Sequence, residues 1–196
     1  DRRQRQMCIR DRCNVTEILK ETHKRFTSLA KQKGLDFVLQ MPEKDFYAHI
    51  NQEAFTKIIS NLLNNGVKYA ESYVHISLAV PDTDGGNSFR IYTVNDGVII
   101  PDAMKEEIFK PFVRFNEQED GKVTTGTGIG LALSRSLAEL HQGTLTMGKE
   151  EENNTFCMTL PIVQDTTITL TTEVEAGTDK INEAPAEQAV EKDNRP

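Results

Sequence analysis

The sequence predicts an α+β fold, a two-layer α/β sandwich in which helices cover one face of a mixed sheet. Two observations carry that prediction. Three amphipathic segments keep helical spacing, and six short segments of strand composition lie between and after them. The two kinds do not alternate as regular βαβ units, so a doubly wound parallel sheet is not expected. No internal repeat is present.

From Thr16 to about Lys33, the positions Ile18, Leu19, His23, Phe26, Leu29 and Ala30 follow a helical period, and Lys33-Gly34 closes it. Asp36–Gln40 and Tyr47–Ile50 are short strand candidates around a turn at Pro42. Asn51 has the chemistry of an N-cap, because its side-chain oxygen can accept from a free N–H of the first turn. Ala54, Phe55, Ile58, Ile59, Leu62 and Leu63 form one apolar face of the helix that follows. Tyr73–Val80 and Phe89–Val94 read as strands separated by the turn-forming 81–87 segment PDTDGGN. Residues 116–125 are polar and without pattern, a mobile loop by composition. Gly128–His141 reads as the third helix, and Thr144–Gly148 with Thr155–Leu160 as a closing hairpin.

Composition sets the limits. The chain has 196 residues, 23 Lys plus Arg against 30 Asp plus Glu, a net charge of -7 and 37% hydrophobic residues. That is one domain with extensions. The charge is uneven: residues 1–12 carry +3, residues 165–196 carry -5, and -5 remains on 13–164. The tail 165–196 has no aromatic residue and no sustained apolar period, so it is expected to be an acidic disordered linker. The head 1–12 is expected to be unstructured, and its hexamer 7–12 (MCIRDR) resembles a translated sequencing adapter, so no function is assigned to it. The folded domain is expected at 13–164. An acidic balance gives no support for a nucleic-acid surface. No apolar run reaches a membrane span and no signal peptide opens the chain, so the expected location is cytoplasmic. Cys8, Cys13 and Cys157 form no CxxC pair, which fits neither a zinc site nor a disulfide framework.

Three polar segments can carry chemistry, and each has a plainer alternative. Asn61, Asn65 and Lys68 fall at i, i+4 and i+7, so they share a stripe beside the apolar face of the second helix. Two amides and an ammonium on one stripe suit a hydrated Mg²⁺ and phosphate oxygens; a solvated helix face fits the same spacing. Asn95-Asp96-Gly97 ends a strand, where an amide or carboxylate can accept from an exocyclic amine, although this is also ordinary turn composition. Gly126-Thr127-Gly128-Ile129-Gly130 directly precedes a helix, where the backbone can approach an anion closely. It does not match the GxxxxGK[ST] phosphate loop, and one glycine-rich loop alone is weak.

Taken in order, the segments resemble the GHKL ATPase superfamily, specifically the catalytic ATP-binding domain of bacterial sensor histidine kinases. NLLNNGVKYA (61–70) resembles the family's N box, VNDGVIIP (94–101) its G1 box, IFKPFVRF (108–115) its F box and TGTGIGLALS (125–134) its G2 box. LAELHQGTLTM (137–147) and NTFCMTLP (154–161) resemble its closing segment, and the likeness covers about 13–161. Spacing and tail also resemble hybrid two-component sensors of Bacteroides type, in which a receiver domain would follow.

The resemblance implies a Bergerat-type sandwich with ATP and Mg²⁺ as ligands and a mobile ATP lid over 116–125. By position, Asn65 would ligate Mg²⁺, with Asn61 facing the phosphates, Lys68 contacting them and Tyr69 lying against the adenine. Arg114 would approach the phosphates or the phosphoacceptor domain. Thr125, Gly126, Thr127, Gly128, Ile129, Gly130 and Leu131 would form the lid hinge and the phosphate-facing helix start. Asn61, Lys68 and Arg114 would be catalytic. In the family's usual D-x-G-x-G, the Asp reads adenine; here Asn95 stands at that position, followed by Asp96 and Gly97, with Ile99 in place of the second Gly. Adenine reading is assigned to Asn95, which can still accept from the amine but is uncharged, and Asp96 and Gly97 beside it are also expected to contact the nucleotide.

The implied function is presentation of the γ-phosphate of Mg-ATP to a histidine on separate dimerisation/phosphoacceptor helices, with a receiver domain downstream or in trans. None of His23, His49, His75 or His141 has the phosphoacceptor context; His141 lies where the family has a structural His, and the other three are expected at the surface. The phosphoacceptor is expected upstream, in a parent protein anchored in the inner membrane, and the fragment is expected to be monomeric. Two alternatives remain. One is a degenerate nucleotide-binding or interaction module, favoured by Asn95 and Ile99. The other is a GHKL hydrolase, disfavoured because Asn61 replaces the family's general-base Glu and an amide cannot take a proton.

Overall fold

The structure, a computed structural model, describes residues 11–81, 86–115, 127–148 and 152–163. These lie in the first of two compact units, Asp1–Asp165. The elements are β1 (Asp11–Asn14), α1 (Val15–Gln32), β2 (Asp36–Gln40), β3 (Tyr47–Ile50), α2 (Gln52–Tyr69), β4 (Tyr73–Ala79), β5 (Ser88–Asn95), two 3₁₀ turns (Asp102–Met104 and Glu107–Phe109), α3 (Gly130–Leu140), β6 (Thr144–Met147) and β7 (Asn154–Pro161). The expected α+β sandwich is the fold observed.

Five strands form a mixed sheet in the order β2-β4-β5-β7-β6. The β2–β4 pair is parallel and the other three pairs are antiparallel. Period-2 burial sets the inner face: Val74, Ile76 and Leu78 of β4, Phe89 and Ile91 of β5, and Phe156, Met158 and Leu160 of β7 are buried. The apolar stripes of the three helices meet that face, so Ile18, Leu19, Phe55, Ile58, Leu62 and Leu137 share one cluster with these strand residues, except Val74, which packs with Ala30, Leu35 and Val67. Each such fully buried side chain stabilises the fold by roughly 1.5–3 kcal/mol.

Helix ends follow local chemistry. Asn14 Oδ1 accepts from Glu17 N–H at 3.1 Å to start α1, and Asn51 Oδ1 accepts from Ala54 N–H at 2.8 Å to start α2. At the far end of α2, Lys33 Nζ donates to the carbonyls of Val67 (2.8 Å) and Lys68 (3.1 Å).

Three sequence expectations need correction. A strand begins at Asp11, inside the segment expected to be unstructured: Asp11 pairs with Ile50 and Arg12 with His49, in a two-stranded β1–β3 sheet. Four residues with no alternating pattern gain strand geometry from partners 33–39 positions away in sequence, which no local signal reveals. The third helix starts at Gly130 rather than Gly128, because Gly128 has φ +68°, outside the helical region. His23 is not a surface residue: it is half-buried and stacked on Phe37, with ring centroids 4.1 Å apart. Among the described residues, no helix is long and apolar enough to cross a membrane. The tail 165–196 and the proposed lid 116–125 lie outside the described residues.

Candidate functional site

A cavity of about 320 Å³ opens between α2, the ends of β5 and β7, the second 3₁₀ turn and the start of α3. Its lining divides by chemistry. Val98, Ile100, Ile108, Leu131 and Phe156 give it an apolar part. Asn61, Asn64, Asn65, Lys68 and Arg114 give it an amide-rich and cationic part. No Asp, Glu or His is among the described lining residues.

α2 supplies the polar part because Asn61, Asn65 and Lys68 share a stripe beside its buried face. Asn61 Nδ2 donates to Gly130 O at 3.2 Å and to Ser134 Oγ at 3.1 Å. These two bonds tie α2 to the first turn of α3 and leave Asn61 Oδ1 for another donor or an ion. The Asn65 side chain makes no hydrogen bond to a described residue, and it lines the cavity. Lys68 Nζ donates to Tyr69 Oη at 2.9 Å and lies 4.6 Å from the Tyr69 ring centroid. Tyr69 is 45% exposed at the cavity wall.

The start of α3 has no side-chain cap, so its first N–H groups are not taken by its own N-cap residue, Ile129. Gly128 supplies the turn into it. A Cβ there would lie 2.9 Å from Phe112 Cα, and Phe112 N–H donates to Gly128 O at 3.0 Å. Phe112 itself adopts φ +67°. The F-box-like and G2-box-like segments therefore meet backbone to backbone.

The NDG segment divides its three residues between different tasks. Asn95 is 3% exposed and lines the cavity; its Oδ1 accepts from Gly97 N–H at 3.2 Å. Asp96 is absent from the lining. Its carboxylate accepts from the backbone N–H groups of Glu71 (3.1 Å), Ser72 (3.0 Å) and Tyr73 (3.1 Å), and from Ser72 Oγ. Desolvation alone would raise its pKa, but these hydrogen bonds prevail and hold the carboxyl far below the ordinary carboxylate range. Asp96 is thus the anchor of the corner between α2 and β4, which corrects its assignment to the nucleotide. Gly97 is buried with its backbone against Tyr69, where a Cβ would stand 2.1 Å from Tyr69 O. Gly97 therefore shapes the wall without lining it.

The cavity brings together Asn61, Asn65, Lys68, Tyr69, Asn95, Arg114, Thr127, Gly128, Gly130 and Leu131 of the sequence-predicted set. Ile129 does not line it, and Thr125 and Gly126 fall outside the described residues. Asn154 went unassigned in the sequence. It is 3% exposed and lies opposite Asn95 in the β5–β7 register. Its Oδ1 accepts from Ile100 N–H at 3.0 Å, and its Nδ2 donates to Gly97 O (3.2 Å) and Val98 O (3.0 Å). Only strand pairing brings it to the site, so the sequence held no sign of it. Among the described residues, no group of three His, Cys, Asp or Glu side chains converges on a metal position. An ion here would take amide oxygens, phosphate oxygens and water, the donor set of Mg²⁺.

Comparison with known proteins places the chain as follows. Residues 50–164 match the family model described as "Histidine kinase-, DNA gyrase B-, and HSP90-like ATPase". Over 138 residues the chain is 25% identical to the sensor histidine kinase WalK of Bacillus subtilis, covering 70% of this chain and 22% of WalK. It therefore spans about a fifth of that relative's length. Its fold superposes on the catalytic domain of the histidine kinase ThkA with a TM-score of 0.68 at 22% identity, covering 81% of this chain and 99% of that one. A full-length ShkA structure in complex with AMPPNP gives 0.66 at 20% identity, covering 80% and 32%.

Proposed function

Because the chain belongs to the histidine kinase-, DNA gyrase B- and HSP90-like ATPase family, we propose that its cavity binds a Mg²⁺–nucleoside triphosphate, ATP by family. In this reading it presents the γ-phosphate to a histidine on separate phosphoacceptor helices. A single observation carries the reading. The cavity lining combines apolar side chains with amides and two cations, and its described part holds no carboxylate or imidazole. A purine suits the apolar side chains, phosphates the amides and cations, and no described lining residue is a carboxylate or imidazole that could activate water.

Each residue's task follows from its position. Asn65 Oδ1, unengaged by described residues, would hold Mg²⁺ together with phosphate oxygens, and Asn61 Oδ1 would face them. When bound, Mg²⁺ offsets phosphate charge and fixes phosphate geometry. Lys68 and Arg114 would offset charge that develops on the phosphoryl group and its leaving oxygen. The uncapped N–H groups of α3 would receive phosphate oxygens. In the transfer, an imidazole nitrogen of the acceptor bonds to the γ-phosphorus as the bond to the β–γ bridging oxygen breaks, and the nucleoside diphosphate leaves. The acceptor histidine lies on another domain in this reading, and a receiver domain accepts the phosphoryl group next. The hydrolase alternative loses support, since Asn61 carries no proton-accepting group and donates its amide to Gly130 and Ser134.

The test is calorimetric titration of the chain with Mg²⁺ and a non-hydrolysable ATP analogue, followed by addition of a matching phosphoacceptor domain with ATP. Binding, and phosphate on the acceptor that is acid-labile and base-stable, are expected. Absence of binding at millimolar nucleotide removes the proposal, and steady phosphate release without acceptor favours the hydrolase.

A further inference from the structure

Arg135, in the second turn of α3, does not line the cavity, yet it grips the segment that forms one of its walls. Three parts of its guanidinium group are engaged at once. Nε donates to Leu145 O of β6 at 3.0 Å, Nη1 donates to Glu106 Oε2 at 2.8 Å, and the group lies over the Phe109 ring, 3.7 Å from its centroid. Phe109 is buried and meets the Phe156 ring edge to face, with centroids 6.3 Å apart. Phe156 lines the cavity, as does Ile108, the neighbour of Phe109 in the chain.

The ion pair is the smaller part of this grip. The Glu106 side chain is 73% exposed, and water screens a charge pair in that position. Orientation is the larger part. A guanidinium is planar and rigid, so a carbonyl at Nε and a carboxylate at Nη1 fix its plane, and the plane fixes where the Phe109 ring can lie. A lysine ammonium has no plane to offer. The chain is pinned again three residues after Phe109, where Phe112 N–H donates to Gly128 O at 3.0 Å. One pin runs to α3 and the other to the turn that leads into it. Arg114 lines the cavity two residues past the second pin, so its approach is set from α3.

Resting on the reading that this cavity binds a nucleotide, we propose that Arg135 is the positioning residue for Arg114. Through Phe109 it holds the 106–114 segment where the Arg114 guanidinium meets the phosphates, and it touches no ligand itself.

The experiment is a double-mutant cycle on the whole 196-residue chain, over Arg135→Lys and Arg114→Ala. Calorimetry with Mg²⁺ and a non-hydrolysable ATP analogue gives the affinities, and thermal melting checks each fold. Arg114→Ala is expected to weaken binding about tenfold and Arg135→Lys at least about fivefold. The double variant is expected to bind within about twofold of Arg114→Ala alone, because the contribution of one arginine cannot be lost twice. A merely structural Arg135 would lower the melting temperature and leave the two losses to multiply. Multiplying losses, or unchanged affinity in a folded Arg135→Lys, overturn the proposal and leave nucleotide binding standing. An Arg114→Ala that binds like the unaltered chain overturns it as well. Should Arg135→Lys not melt cooperatively, Arg135→Gln takes its place in the cycle with the same expectations. Failure of the unaltered chain to bind the analogue overturns the functional reading itself.

Discussion

The backbone N–H of Asn51 donates to His141 Nε2 at 3.1 Å, joining the start of α2 to the end of α3. On the other side of the ring, Nδ1 donates to Leu137 O at 2.7 Å. An N–H can only donate and a carbonyl can only accept, so the imidazole is neutral with its proton on Nδ1. The ring is 3% exposed. It spaces the two helices whose facing turns carry Asn61 and Gly130.

His141→Ala is therefore expected to lower stability by about 1–3 kcal/mol, through a cavity and the loss of the acceptor for Asn51 N–H. Urea unfolding measures it. A change below about 0.5 kcal/mol would falsify the structural role.

Asp96 makes stability depend on acid. Its folded pKa lies below the unfolded value, so its contribution is complete above the ordinary carboxylate pKa near 4 and is lost as pH falls. Asp96→Asn should unfold more readily at neutral pH and show a flatter loss of stability on acidification. Urea curves collected at several acidic pH values compare the two slopes, and parallel slopes would exclude Asp96 as a source of the acid sensitivity.

Gly97→Ala places a methyl group 2.1 Å from Tyr69 O, against backbone that cannot swing aside. The mutant is expected to melt at lower temperature and to bind nucleotide at least about tenfold more weakly, since Tyr69 and Asn95 both border the shifted wall. Calorimetry with unchanged affinity would show that the wall adapts.

Asn65→Ala separates ligation from folding. The side chain makes no hydrogen bond to a described residue, so stability should change by less than about 0.5 kcal/mol. The Mg²⁺-dependent part of nucleotide affinity should disappear. Titrations with and without Mg²⁺ decide it, and a retained Mg²⁺ effect removes Asn65 from the metal.

His23 offers a second pH test. Burial lowers its pKa below the usual histidine value, a hydrogen bond to the Phe37 backbone opposing the shift, and its Nε2 is buried without a partner. Stability associated with it is present above the unfolded pKa near 6.5 and declines as pH falls. His23→Phe, keeping the stack on Phe37, should flatten the stability profile below about pH 6.5. An unchanged profile assigns the loss elsewhere.

Much of this architecture was legible in the chain because its signals are local. The Asn51 cap, the α2 stripe and the strands at 36–40 and 47–50 depend on residues within a few positions of one another. What was not legible depends on pairing. β1 becomes a strand only beside β3, and Asn154 enters the site only because the β5–β7 register sets it opposite Asn95. The division of labour between Asn95 and Asp96 was equally hidden. Adjacent strand-end residues point to opposite sides, and which side faced the cavity awaited the position of the 71–73 corner.

Lys33 has a consequence for the field around the cavity. The carboxyl end of a helix carries about half a negative charge and the amino end about half a positive one. α2 brings its carboxyl end to the cavity through Lys68 and Tyr69, a placement that would repel an approaching polyanion. By donating to the carbonyls of Val67 and Lys68, Lys33 sets a positive charge against that pole, while among the described residues no side chain caps the amino end of α3. In a chain of net charge -7, the two helix ends that border the cavity are thus treated unequally: a cation sits on the carbonyls of one, and the other carries no side-chain cap.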